Sequence, residues 1–111
     1  MIDIHTHLWD CEAMPESIRA YFVQGKETTD TKKYSAEGLL DSMSQAGIEY
    51  SVVSALAYSH ELPRDTINQI NEYVRKAVAA SQRKLIGFCT LDPFEGEGSV
   101  NMLRKCIEVD G

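Results

Sequence analysis

The sequence predicts an α/β domain with a parallel sheet, built in the order β-α-β-α-β-α. Two observations carry that expectation. Three short apolar runs, around Ile2 to His7, Tyr50 to Ala57 and Leu85 to Leu91, alternate with segments whose apolar residues recur at helical spacing. The connections between the runs are also long enough for crossovers between parallel neighbours, which are right-handed by the usual rule.

The chain opens Ile2-Asp3-Ile4-His5-Thr6-His7. In a strand alternate residues share a face, so Asp3, His5 and His7 are expected on one side and Ile2, Ile4 and Thr6 on the other. Two imidazoles held two residues apart on a rigid strand suit chelation of one divalent ion, and the competing reading is a pair of surface or hydrogen-bonded histidines. Residues 8–34 lack sustained periodicity and read as a long loop or lid, with two helical turns conceivable over Pro15 to Phe22.

Leu39, Leu40, Met43 and Ala46 then define the first helix, with Ser35 as N-cap and Gly47 as its stop. Tyr50 to Ala57 is β-branched at its centre, as in a strand buried on both faces. Pro63 to Ser81 carries Ile67, Ile70, Val74, Ala77 and Val78 on one helical face, and Glu72 and Lys76 as an i,i+4 pair on another. Leu85 to Leu91 reads as a third buried strand closed by Asp92-Pro93, since proline donates nothing to a ladder. A turn over Glu95 to Gly98 leads to a last helix marked by Val100, Leu103 and Ile107, with Glu95 and Glu97 capping it and facing water. The pattern is that of three units of an α/β barrel. A doubly wound sheet gives similar local signals, but its phosphate-binding form expects a glycine-rich turn after the first strand, where this chain has His7-Leu8-Trp9-Asp10.

Length and charge bound the function. The 111 residues make one domain, well short of the roughly 250 that a complete eight-stranded barrel needs. A net charge of −6 and no basic run longer than Lys32-Lys33 argue against nucleic acid and against a polybasic membrane anchor. The apolar stretches are too short to span a bilayer, and with no signal sequence the expected location is the cytoplasm. Cys11, Cys89 and Cys106 do not fit a disulfide framework. Core packing is the expected role of Cys89, inside the third strand, and Cys106, on the apolar side of the last helix. Cys11 follows the histidines closely enough to line the same cavity.

Asp3-Ile4-His5-Thr6-His7 resembles the first-strand signature of the amidohydrolase superfamily of metal-dependent (β/α)8 TIM-barrel enzymes. Lys84-Leu85-Ile86-Gly87-Phe88 through Leu91-Asp92-Pro93, preceded by a helix bearing Asn68 and Asn71, is similar to its amidohydrolase-related branch of hydrolases and non-oxidative decarboxylases. The resemblance implies that residues 1–111 are a single partial barrel domain, its first three β-α units. It also implies His5 and His7 as ligands of a divalent metal, commonly zinc, at the C-terminal mouth of the barrel. Asp3 would then be a hydrogen-bond acceptor behind the ligating rings or an interior polar residue.

The expected reaction is hydrolysis or decarboxylation of a small organic acid or amide by metal-activated water. A catalytic zinc has three protein ligands, and the family completes its site on later strands. The isolated chain is therefore expected to be inactive, with an oligomer or a complementing chain as partner. His60, Asp92 and Cys89 are candidates for the gap, although His60 also fits a substrate contact and Asp92 a turn residue. Trp9 and Tyr58, just past the first and second strands, fit either a substrate-pocket wall or packing beneath the loop. Asp-x-His-x-His also opens phosphoesterases of the polymerase-and-histidinol-phosphatase type, with His60 as the matching later histidine. A third reading is a non-catalytic α/β binding module.

Overall fold

The computed structural model describes residues 1–10, 34–55 and 63–109. The expected loop over 8–34 for the most part, its conceivable helix, Cys11, Tyr58 and His60 lie outside these residues. Strand β1 (Ile2–His7), helix α1 (Ala36–Ala46), strand β2 (Tyr50–Ser54), helix α2 (Arg64–Ala80), strand β3 (Leu85–Gly87), a 3-10 turn (Pro93–Glu95) and helix α3 (Glu97–Glu108) follow in the expected order. The strands form one parallel sheet, β1-β2-β3.

Local chemistry sets the helix ends. The Ser35 hydroxyl accepts from the Gly38 N–H at 3.1 Å, and the Tyr73 hydroxyl from α2 accepts from the Ala36 N–H at 3.0 Å. Gly47 ends α1 in the left-handed region at φ 68°, which glycine enters without a Cβ penalty. The α2–β3 connection uses two non-glycine residues in that region, Gln82 at φ 54° and Arg83 at φ 68°. The Ser81 hydroxyl fastens it, donating to the Val78 carbonyl at 2.7 Å and accepting from the Leu85 N–H at 3.1 Å.

The core lies between the sheet and α1 and α2. Ile67, Ile70, Val74 and Ala77 of α2 are buried as their periodicity predicts, and Val78 packs beside them. Ile70, Val74 and Ala77 cluster with Met43 of α1, Val53 and Leu85 of the sheet, Ala55 just past β2, and Leu8 and Trp9. Burial alternates along β2, with Ser51 and Val53 inside and Tyr50 exposed. β2 is therefore covered on one face only among the described residues. On α2, Lys76 reaches Glu72 at 3.6 Å, but the closer partner is Arg75, whose guanidinium donates twice to that carboxylate at 2.7 and 2.8 Å. Arg75 holds the Glu72 carboxyl down to about 2.

Several expectations change. β3 stops at Gly87 rather than Leu91, because beyond Phe88 the backbone is paired by a side chain instead of a strand. Asn71 of α2 donates to the Thr90 carbonyl and accepts from the Thr90 N–H, both at 2.8 Å. Cys89 consequently lies past the strand, half-buried, and lines with half-buried Cys106 a cavity of about 140 Å³ between α2 and α3. Ile2 and Ile4 are exposed, with nothing among the described residues covering them. Glu97 does sit in the first turn of α3, but Gly96 is its N-cap and no side chain caps it. Asp92 is a turn residue, its carboxylate accepting from the Phe94 N–H at 2.9 Å.

The apolar stripe of α3 is present and uncovered among the described residues, with Val100 50% and Ile107 65% exposed. Ile86 and Phe88, at 48% and 61%, lie open at β3. Such surface, beside an unpaired strand edge, drives association. The purified chain is expected to self-associate at micromolar concentration in light scattering. A clean monomer would argue that these faces are not an interface.

Candidate metal centre

The two histidines sit at the C-terminal end of β1, and a break in the pairing directs them. Asp3 lies opposite Ser51 and Thr6 opposite Val53, so β1 advances three residues while β2 advances two. This is a bulge, which inserts one residue and re-aims those that follow. Had the Asp3–Ser51 register continued, His7 would face Ala55 in the core; instead it lies opposite Ser54. The bulge thus moves the pair to the open face of β2.

The rings converge there. His5 Nε2 and His7 Nε2 are 3.1 Å apart, with ring centroids separated by 4.8 Å and planes at 86°. Nitrogens bound to one tetrahedral zinc at the usual bond length lie about 3.3 Å apart. The pair therefore fits two positions of such a site. On its far side His7 Nδ1 lies 3.3 Å from Ser54 Oγ. Among the described residues no group of three or more His, Cys, Asp or Glu side chains could hold a metal ion.

Asp3 does not share the histidine face. The bulge leaves it with Thr6, whose hydroxyl donates to one carboxylate oxygen at 2.6 Å while the His5 backbone N–H donates to the other at 3.1 Å. The Thr6 hydrogen bond, with that N–H, lowers the Asp3 pKa below its ordinary value. Its carboxylate braces the bulge rather than orienting an imidazole.

Trp9 is 2% exposed and belongs to the core. With Leu8 and Asp10 it also lines a cavity of about 440 Å³ against Thr66, Gln69, Ile70 and Tyr73 of α2. Its backbone N–H donates to the Tyr34 carbonyl at 2.9 Å, closing the chain on itself across the segment between them. Packing and cavity wall thus coincide at Trp9, although neither histidine lines that cavity. Ser54 was not singled out from the sequence. The only available signal was the need of a ligating imidazole for a second hydrogen-bond partner, and its identity depends on the register.

No protein-family model and no curated protein matches the chain. Among solved structures, the crystal structure of a "putative amidohydrolase" from Staphylococcus aureus superposes with a TM-score of 0.67 at 18% identity. The match covers 99% of this chain and 34% of that one, so the chain spans about a third of the neighbour's length. At this identity the likeness concerns the fold alone, and the chain has an α/β fold like that of this neighbour.

Proposed function

We propose that the chain is the N-terminal portion of an amidohydrolase-related, metal-dependent enzyme, comprising the first three units of a (β/α)8 barrel. Its substrate is a small organic acid or amide in the cytoplasm, cleaved by hydrolysis or decarboxylation. The observation that carries this reading is the convergence of His5 Nε2 and His7 Nε2 to 3.1 Å at the C-terminal end of a parallel strand. Strand ends of that polarity are where barrel enzymes build their sites. The amidohydrolase-like fold supports the same reading.

His5 and His7 would hold a divalent ion, with zinc the best fit to two imidazoles at this spacing. When bound, such an ion brings the pKa of a coordinated water down to about 7. The chain's own contribution is orientation. The bulge carries the imidazoles away from the core, and Asp3 holds the bulge through Thr6 and the His5 N–H. Tyr58 and His60 are proposed as substrate contacts, and Trp9 as a wall of the cavity beside α2. The remaining ligands and the general base would come from a complementing chain or further units, so turnover by this chain alone is not expected. The phosphoesterase reading depends on His60 and has no separate geometric support.

The test is zinc competition against a chromophoric chelator. The purified chain is expected to take up about one zinc per site at micromolar concentration, and His5→Ala with His7→Ala to abolish it. Equal uptake by both proteins, or none by the parent, would favour a non-catalytic α/β module.

A further inference from the structure

The contacts of the two histidines are unequal. Ser54 Oγ lies 3.3 Å from His7 Nδ1, whereas no partner for His5 Nδ1 occurs among the described residues. The Nε2 atoms face each other at 3.1 Å, and one of two facing neutral imidazole nitrogens must donate while the other accepts. If the Ser54 hydroxyl accepts from His7 Nδ1–H, His7 Nε2 carries a free lone pair and His5 Nε2–H donates to it. That assignment satisfies both contacts with one proton on each ring; the reverse, with Ser54 donating to His7 Nδ1, satisfies them equally but puts the His7 proton on Nε2, where the metal reading needs a lone pair.

We propose that Ser54 is a positioning residue of the metal pair, holding the proton of His7 on Nδ1 so that His7 Nε2 is the preset ligand atom and His5 is the adaptable one. The inference rests on the metal-binding reading above. It follows from tertiary structure at two points. Ser54 is on the open side of β2 because Ser51 and Val53 alternate into the core. His7 is opposite it because the β1 bulge displaces the register by one residue. His5 then joins the ion after exchanging its Nε2 proton for one on Nδ1 through solvent water, with no net gain or loss of protons. A hydroxyl serves here because it accepts from Nδ1–H without adding the negative charge of a carboxylate.

Two readouts on the full chain test this. Long-range ¹⁵N–¹H spectra of the metal-free protein, at mildly alkaline pH where imidazole is neutral, are expected to show His7 as the Nδ1–H tautomer. Ser54→Ala is expected to shift His7 toward Nε2–H, and Ser54→Thr, which keeps the hydroxyl, to restore Nδ1–H. Zinc affinity should fall about 10- to 100-fold in Ser54→Ala and recover in Ser54→Thr. An Nε2–H His7 in the parent chain, or an affinity indifferent to Ser54→Ala, overturns the inference while leaving the zinc site standing. Zinc uptake indifferent to loss of both histidines instead overturns the metal reading, and this proposal with it.

Discussion

Gly87→Ala is expected to lower the unfolding free energy by about 1–3 kcal/mol, the usual cost of forcing a methyl group into a packed interface. A Cβ at Gly87 would lie 2.9 Å from Val78 Cγ2 and 3.2 Å from Val74 Cγ1. Both neighbours are β-branched and stiff at χ1, so neither swings aside freely. The missing side chain is what lets α2 lie close against β3. Gly47 is the control, since a Cβ there meets nothing within 4 Å and an alanine would incur only left-handed backbone strain, about 1 kcal/mol. Urea melts of Gly87→Ala, Val78→Ala and the double variant give the coupling. If the clash is the cause, removing the Val78 methyls should relieve the alanine and the two losses should sum to more than the double variant's. Additive losses would rule it out.

Asn71→Ala is expected to cost about 2 kcal/mol, because it strips a donor and an acceptor from one backbone residue at once. Asn71 supplies Thr90 with both hydrogen bonds that a neighbouring strand would have made, each at 2.8 Å. The Thr90 hydroxyl in turn donates to the Ala55 carbonyl at 3.1 Å. One helix side chain therefore ties the exits of β3 and β2, and Ala55 follows Ser54 directly. Amide exchange should report the loss locally, with protection at Thr90 disappearing before that of β2. Asn71→Asp separates the two bonds. Its carboxylate still accepts from the Thr90 N–H but faces the Thr90 carbonyl with a lone pair, so it should remain destabilised and recover partly where the carboxyl is protonated. Unchanged protection at Thr90 in both variants would show that the loop holds itself.

Neither role was foretold by the residue string. Gly87 and Asn71 lie in the two stretches that suggested an amidohydrolase-related origin, but their roles are contacts between α2 and β3. Nothing local in Leu85-Ile86-Gly87 says which helix residues a Cβ would strike. The expected extension of β3 to Leu91 fails for the same reason. Its composition suits a strand, but a strand continues only where a ladder partner exists, and the Asn71 amide takes that place.

What the sequence determined by itself was whatever depends on neighbours along the chain. The Ser35 cap, the Gly47 stop, the buried stripe Ile67, Ile70, Val74 and Ala77 and the order of the elements all rest on interactions within a turn or two of helix. The His5 and His7 pair, with the metal chemistry proposed for it, was legible as residue type and spacing. Tertiary structure decided where that chemistry points. Period-two alternation put Asp3 with the histidines, and it holds only while the ladder is unbroken. The β1 bulge, visible only against β2, separates Asp3 from them and sets His7 against Ser54. Trp9 likewise enters the core because α2 and the sheet close around it. Caps and periodicities are fixed by short-range sterics and hydrogen bonds, whereas register and burial are fixed by partners distant in the chain.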